Sequence, residues 1–220
     1  MEKVKTILLS KSVFEDNDVQ AERLRSDLQK NNICLVNVMS SPGSGKTTLL
    51  VTLINALKEE YKIGVMEADI DSDKDAVTVA KLTGVPSIQL HTGGMCHLDA
   101  EMTKQGLNGL GQGFDLIFLE NVGNLVCPAE YDTGANINMV ILSVPEGNDK
   151  PLKYPLVFEK SDLAIISKTD AIPYFDFNVD ECKEYIHARN PRSSVIALSA
   201  KTGDNMTELI QWFRERLSQR

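Results

Sequence analysis

"SSPGSGKTTLL", residues 40–50, follows the apolar run "ICLVNVM" (33–39) and opens the helically spaced stretch "KTTLLVTLINALKEE" (46–60). A strand running into a small-residue turn and then a helix is the setting of a phosphate-binding loop. Gly43, Ser44, Gly45, Lys46 and Thr47 fit the second half of G-x-x-x-x-G-K-[ST]. Small residues let backbone N–H groups turn inward around phosphates, and the helix N-terminus adds the positive end of its dipole. Pro42 to Thr48 are therefore the expected phosphate contacts, with Lys46 reaching the β- and γ-phosphates and the Thr47 hydroxyl on Mg²⁺. Ser40 stands where the pattern has its first Gly, a place serine can take if the backbone does not need positive φ.

Around this loop, apolar β-rich runs alternate with longer helical patterns. Strands are expected at "ICLVNVM", "KIGVME", "VPSIQL", "DLIFLE", "NMVILSV", "LAIISK" and "SVIALS". Helices are expected at "KTTLLVTLINALKEE", "DKDAVTVAKLTG", "HLDAEMTKQGLNGL" and "TGDNMTELIQWFRERL". Continuous apolar strands separated by helices predict an α/β fold, a mostly parallel sheet covered by helices on both faces. "DNDVQAERLRSDLQKNN" predicts an added N-terminal helix, so residues 1–30 read as a helical segment and 31–220 as a P-loop domain. Ligands of such sheets bind at the carboxyl ends of the strands, which directs attention to the loops there.

With 220 residues the chain can bury one large core, and its charge of −8 argues against general binding to nucleic acid or an anionic membrane. No apolar run is long enough to span a bilayer, and the N-terminus lacks a secretory pattern, so a cytoplasmic protein is expected. The four cysteines, Cys34, Cys96, Cys127 and Cys182, then read as reduced thiols rather than two disulfides. Cys34 and Cys182 fall in apolar or helical runs and read as inert small hydrophobes.

Three further segments suit a nucleotide hydrolase. "DLIFLENVG" ends a strand on Glu120 with Gly123 three residues on, the layout of the D-x-x-G switch of G proteins with Glu for Asp. The Gly123 N–H is placed to contact the γ-phosphate and Glu120 to bind Mg²⁺ directly or through water. "MEADIDSDKDA" supplies acids after the second strand, of which Asp69 and Asp75 are assigned to the Mg²⁺ shell and Asp71 and Asp73 to helix capping. "SKTD" (167–170) corresponds to the base-reading N-K-x-D, with Ser167 for Asn; the Asp170 carboxylate accepts from guanine N1 and N2 while the Lys168 stem packs on the base. Ser199, Ala200 and Lys201 match the supporting "SAK" base loop. In this order the segments make GTP the expected nucleotide, with Lys46 and Gly123 as the transition-state contacts and no general base assigned.

Cys96, His97 and Cys127 sit on loops at the same sheet edge. Two thiolates and an imidazole suit Zn²⁺ or Ni²⁺, but one Cys-His pair with a distant Cys is a far weaker signal than a double C-x-x-C and by itself reads more readily as packing. Thiol–imidazole hydrolysis is disfavoured, because adjacent residues point apart.

"SPGSGKTTLL", "CHLDA", "ENVGNLVCPAEYD" and "VPEGNDKPLKYP" (144–155) together resemble the HypB family, GTPases that help insert nickel into [NiFe] hydrogenases. The resemblance runs from the N-terminal helix to the C-terminus. It implies a slow, Mg²⁺-dependent GTPase that dimerises with GTP, with a nickel or zinc site from Cys96, His97 and Cys127 near the dimer interface. It implies as partners a second copy, an accessory nickel protein resembling HypA, and the hydrogenase large-subunit precursor. It also places "EGNDKPLKYP", which otherwise reads as a Pro-rich loop, near the guanine and the dimer contacts. The chain departs from the family at Ser40, Ser167 and Glu101, and its first thirty residues carry no Cys or His, so long-term nickel storage is not expected. Water, Asp99 or the second subunit would complete the metal shell. The alternatives are a related accessory GTPase for urease or a cobalamin enzyme, or a non-catalytic zinc-stabilised dimer with a degenerate nucleotide pocket. Ala129 after Cys127-Pro128 disfavours the urease branch, which shows Cys-Pro-His there, and Asp170 with "SAK" disfavours a P-loop kinase.

Overall fold

The computed structural model describes residues 5–8, 17–69 and 74–219. Its chain order is β1 (Lys5–Leu8), α1 (Asn17–Lys30), β2 (Cys34–Ser40), α2 (Lys46–Leu57), β3 (Ile63–Asp69), α3 (Lys74–Thr83), β4 (Ser87–His91), α4 (Ala100–Leu110), β5 (Leu116–Glu120), α5 (Cys127–Glu130), β6 (Ile137–Ser143), α6 (Lys150–Lys153), α7 (Pro155–Glu159), β7 (Leu163–Ser167), α8 (Val179–Arg189), β8 (Ser194–Ala197) and α9 (Met206–Ser218). The eight strands form one sheet in the order β1-β4-β3-β5-β2-β6-β7-β8, and every pairing is parallel. The expected α/β fold with its N-terminal helix is the one observed. One strand, β1, was not among the seven expected: "KTIL" is too short to show a period, and it pairs with β4 at the sheet edge. Asp71 and Asp73, expected to cap α3, lie outside the described residues.

Strand β2 occupies the middle because its residues are buried on both faces. Cys34, Val36 and Val38 face a core with Leu49, Leu53 and Leu57 of α2 and Phe213 of α9. Leu35 faces the opposite layer, with Leu28 of α1 and Met102 of α4, while Met39 joins Val157, Phe158 and Ile186 beyond it. Burying one Leu or Val side chain stabilises by roughly 1.5–3 kcal/mol, so this double-sided core fixes the strand that launches the phosphate loop. Strand order reverses beside β2: the chain places β3, β4 and β5 on one side and β6 to β8 on the other. The crevice at the carboxyl ends of such a switch is where α/β sheets bind ligands.

Within and just after the expected Pro-rich loop at 146–155 the chain forms two short helices, α6 and α7. Pro151 and Pro155 stand in their first turns, where a missing N–H costs nothing and a fixed φ favours the helix. The helix expected from His97 begins at Ala100 instead, because Asp99 caps it by accepting from Met102 N at 2.8 Å.

Candidate functional site

The phosphate loop is held by its own side chains and by β7. Gly43 and Gly45 adopt φ of 76° and 95°, which a side chain would strain. Ser40 is not among the residues with positive φ and is fully buried, and its hydroxyl accepts from Ser44 Oγ at 2.7 Å. Ser167, in place of Asn, donates from Oγ to Ser44 O at 2.7 Å, so it orders the loop directly. Lys168 donates from Nζ to Gly43 O at 2.6 Å. Both serine departures are therefore built into the loop's hydrogen bonding.

Pro42, Gly43, Gly45, Lys46, Thr47 and Thr48 line one wall of a cavity of about 520 Å³. The facing wall carries Asp69 at the end of β3, Asp75 in the first turn of α3, and Glu120 to Gly123 after β5. Thr47 donates to Asp75 Oδ1 at 3.1 Å, and Lys46 Nζ lies 3.6 Å from Glu120 Oε1. Glu120 is level with Glu67 across the β3–β5 pairing, and both are buried. Burial, and then the neighbouring Glu120, push the Glu67 carboxyl well above the usual range. Burial also raises Glu120, against the opposing pull of Lys46. Glu67 Oε1 and Glu120 Oε2 are buried with no hydrogen-bond partner. These carboxyls, the Thr47 hydroxyl and the two aspartates are oxygen donors of the kind a hard divalent cation takes, although among the described residues no three of the acidic side chains are close enough to enclose one.

The segment after β5 is pressed onto the phosphate loop. Asn121 N donates to Val38 O at 3.0 Å, and Asn124 bridges to Ser40. A Cβ on Gly123 would lie 3.1 Å from Pro42 Cγ, so glycine permits this approach.

A second cavity, about 340 Å³, shares Gly45 and Thr48 with the first and extends toward β7 and β8. Ser199, Ala200, Lys168, Asp170 and Lys201 line it. Lys168 and Asp170 follow β7, and Ser199 to Lys201 follow β8. Ser199 is fully buried and donates to Asp170 Oδ1 at 2.7 Å. That bond, helped by Lys201 at 3.6 Å, holds the Asp170 carboxyl below its usual range. All the residues expected to read phosphate and base thus converge on two joined cavities.

The thiols gather at the other end of the same edge. Cys127 is the first residue of α5, and Cys96 and His97 lie between β4 and α4. Hydrogen bonding with Cys127, then burial, raises the Cys96 thiol above its ordinary value. Cys96 Sγ is 4.0 Å from His97 Nδ1, but the buried His97 ring stacks on Tyr131, with centroids 3.7 Å apart and planes 8° apart. Among the described residues, no three His, Cys, Asp or Glu side chains are grouped closely enough to hold a metal ion. One chain therefore brings the two thiols together and sets the imidazole alongside, without closing a shell. Asp99 is engaged as the cap of α4 through Oδ1. Cys34 and Cys182 are buried, and desolvation pushes the Cys182 thiol up to about 12.

Two features escaped the sequence reading. Gln89 of β4, 1% exposed, lines the phosphate cavity level with Glu67; its signal was a polar residue at the middle of a strand that alternates polar Ser87, Gln89 and His91 with apolar Ile88 and Leu90. Helix α1 clamps the thiol segments. Asn17 accepts from Ala100 N at 2.9 Å and donates to Asp132 O at 3.0 Å, and Arg25 pairs with both Asp132 oxygens at 2.8 and 2.7 Å.

A parallel sheet with a phosphate loop at its switch point defines a P-loop nucleotide-binding protein. Residues 34–197 match the family described as CobW/HypB/UreG, nucleotide-binding domain. The hydrogenase maturation factor HypB of Azotobacter chroococcum mcd 1 is 42% identical over 212 residues, covering 96% of this chain and 69% of that protein. The crystal structure of HypB from Helicobacter pylori in complex with nickel superposes with a TM-score of 0.85 at 38% identity, over 92% of this chain and 95% of that one. HypB from Archaeoglobus fulgidus superposes with a TM-score of 0.84 at 36% identity, over 91% and 98%. The chain belongs to the HypB family of hydrogenase maturation factors.

Proposed function

We propose that this protein is a slow, Mg²⁺-dependent GTPase that binds nickel or zinc and passes nickel on during [NiFe] hydrogenase maturation, working as a nucleotide-controlled homodimer in the cytoplasm. Membership of the HypB family and a relative solved with nickel support the metal and the pathway. Pro42 to Thr48 cradle the phosphates, Lys46 and the Gly123 N–H contact the γ-phosphate, and Asp170 with Lys168, Ser199, Ala200 and Lys201 takes the guanine. Thr47, Asp69, Asp75 and Glu120 are the oxygen ligands for Mg²⁺, whose charge offsets that developing on the transferred phosphoryl group. Lys46, 3.6 Å from Glu120 here, turns to the phosphates when they are present.

Cys96 and Cys127 of each subunit, with His97, supply soft ligands to the metal as cargo. Because one chain leaves that shell open, the second subunit contributes the remainder. The partners are a protein resembling HypA and the hydrogenase large-subunit precursor. Exposed Val126, Leu152 and Leu156, beside α5 and in α6–α7, favour a protein interface on this side. A zinc-stabilised dimer with a degenerate pocket is the weaker reading, because Ser40 and Ser167 both serve the phosphate loop.

The observation that carries this reading is the tether from Gly123, packed on Pro42, to Cys127 four residues on. Nickel titration of the wild type and Cys127→Ala, each with GDP and with a non-hydrolysable GTP analogue, tests it. The wild type should differ in nickel affinity between the two nucleotides, and Cys127→Ala should bind weakly with both. Equal wild-type affinity in the two states would refute the coupling.

A further inference from the structure

We infer that Gln89 is a positioning residue of the magnesium–phosphate site, one that holds water in the outer shell of the Mg²⁺ complex together with Glu67. The inference rests on the GTPase reading above and extends it to a strand that reading does not use. Gln89, Glu67 and Glu120 stand at one level on three adjacent strands, β4, β3 and β5. All three are buried and line the phosphate cavity. Among the described residues, each also has one buried oxygen with no hydrogen-bond partner: Gln89 Oε1, Glu67 Oε1 and Glu120 Oε2. Among the described residues, the carboxamide of Gln89 makes one hydrogen bond, a long one from Nε2 to Leu90 O at 3.4 Å.

A buried amide oxygen with no donor destabilises a fold, whereas an apolar residue of the same shape would be neutral or better. Strand β4 alternates Ser87, Gln89 and His91 on one face with buried Ile88 and Leu90 on the other, and of the three polar residues Gln89 alone is fully buried. The three side chains line one cavity; a proton held by Glu67 can serve Glu120, which leaves Gln89 Oε1 as the acceptor that a ligand-borne donor would satisfy. A hydrated Mg²⁺ presents water protons outward, and reluctance to dehydrate makes it keep several of those waters. Glu120, 3.6 Å from Lys46 of the phosphate loop, belongs to the inner set, while Glu67 and Gln89 stand progressively further along the sheet from β2. The row thus grades from ligand to water-holder. Removing an outer-shell hydrogen bond of this kind typically weakens metal affinity by about 10–100-fold.

The test compares the wild type, Gln89→Met, which keeps length and shape without the amide, and Gln89→Glu, which keeps an acceptor oxygen. The first readout is binding of a fluorescent GDP analogue in EDTA and then across a Mg²⁺ titration; the second is the Mg²⁺ dependence of GTP turnover. For Gln89→Met we expect unchanged affinity in EDTA, a half-saturating Mg²⁺ concentration raised about tenfold, and a matching shift in turnover. Gln89→Glu should stay within about threefold of the wild type in Mg²⁺ response, because the acceptor is retained. A Gln89→Met protein with the wild-type Mg²⁺ response overturns the inference. So does one that loses nucleotide affinity in EDTA as well, since that marks a packing role. Wild-type protein that binds the nucleotide equally with Mg²⁺ and EDTA would instead remove the magnesium reading on which the inference stands.

Discussion

Replacing Arg25 with Ala should loosen the segment that carries Cys127, and the structure sets the size of the effect. Arg25 donates to both Asp132 oxygens at 2.8 and 2.7 Å and from Nε to Ala135 O at 3.0 Å. The paired side chains are 29% and 34% exposed, between the buried and fully solvated limits. Buried charge-assisted bonds contribute about 1.5–3 kcal/mol and exposed ion pairs about 0–1 kcal/mol, so the bidentate pair is worth about 1–2 kcal/mol. Adding about 0.5–1 kcal/mol for the Ala135 bond gives a loss of about 2 kcal/mol for Arg25→Ala. For a chain of this size that corresponds to a fall of roughly 4–8 °C in Tm. Arg214, which makes the same two-pronged contact with Glu60 but with both side chains 42% exposed, is the internal control. Arg214→Ala should lower Tm by clearly less than Arg25→Ala does, because that exposed pair is screened by solvent. Thermal and urea unfolding of Arg25→Ala, Asp132→Ala and the double variant should return a coupling energy near 1 kcal/mol. Coupling indistinguishable from zero, or equal shifts for Arg25→Ala and Arg214→Ala, would refute the reasoning.

Asp170→Asn should lose GDP affinity by roughly 10²–10⁴-fold, since two bonds to a charged acceptor contribute about 1.5–3 kcal/mol each. Competition binding should also show a gain for xanthosine diphosphate, which carries oxygen where guanine carries its N2 amine; unchanged GDP affinity would remove Asp170 from the base site. Glu67→Gln should stabilise the nucleotide-free protein while weakening its Mg²⁺ response, because the buried Glu67 carboxyl has its pKa raised in the folded state. A raised carboxyl pKa means stability is lost as pH climbs above the unfolded value of about 4.3. The Tm gain should therefore be present at pH 7 and vanish near pH 4, and a gain that persisted at pH 4 would contradict the assignment.

Seven of the eight strands and the main helices were legible because strands buried on both faces read as unbroken apolar runs. The phosphate loop was legible for a different reason: its chemistry forces small residues, Lys46 and Thr47 into a fixed order. Strand β1 was not, since four residues cannot show a period and its partner β4 lies more than eighty residues away. Gln89 belongs to an ordinary polar–apolar alternation, Ser87, Gln89 and His91 against Ile88 and Leu90, and only the register with Glu67 turns it toward the nucleotide cavity. Ser167 reads as a loss against N-K-x-D, yet its hydroxyl reaches the Ser44 carbonyl across 123 residues of chain. Asn17 opens α1 and looks like any helix-initiating residue; that it joins Ala100 to Asp132 depends wholly on tertiary placement.

These contacts bear on how a phosphate event could reach a thiol. The stretch from 121 to 136 is fastened at both ends. At the front, Asn121 and Asn124 bond to β2 and Gly123 lies against Pro42. At the back, Arg25 and Asn17 hold Asp132, and Arg25 also holds Ala135. Between them sit α5, with Cys127 at its start, and Tyr131 stacked on His97. A chain fastened at both ends takes up a displacement of one end in its middle. If the Gly123 contact is made and broken during turnover, the give must fall between residues 124 and 131, where the Cys96–Cys127 pair meets. Helix α1 then governs the size of the response, because slackening the back end lets the whole segment follow and leaves the thiols less disturbed.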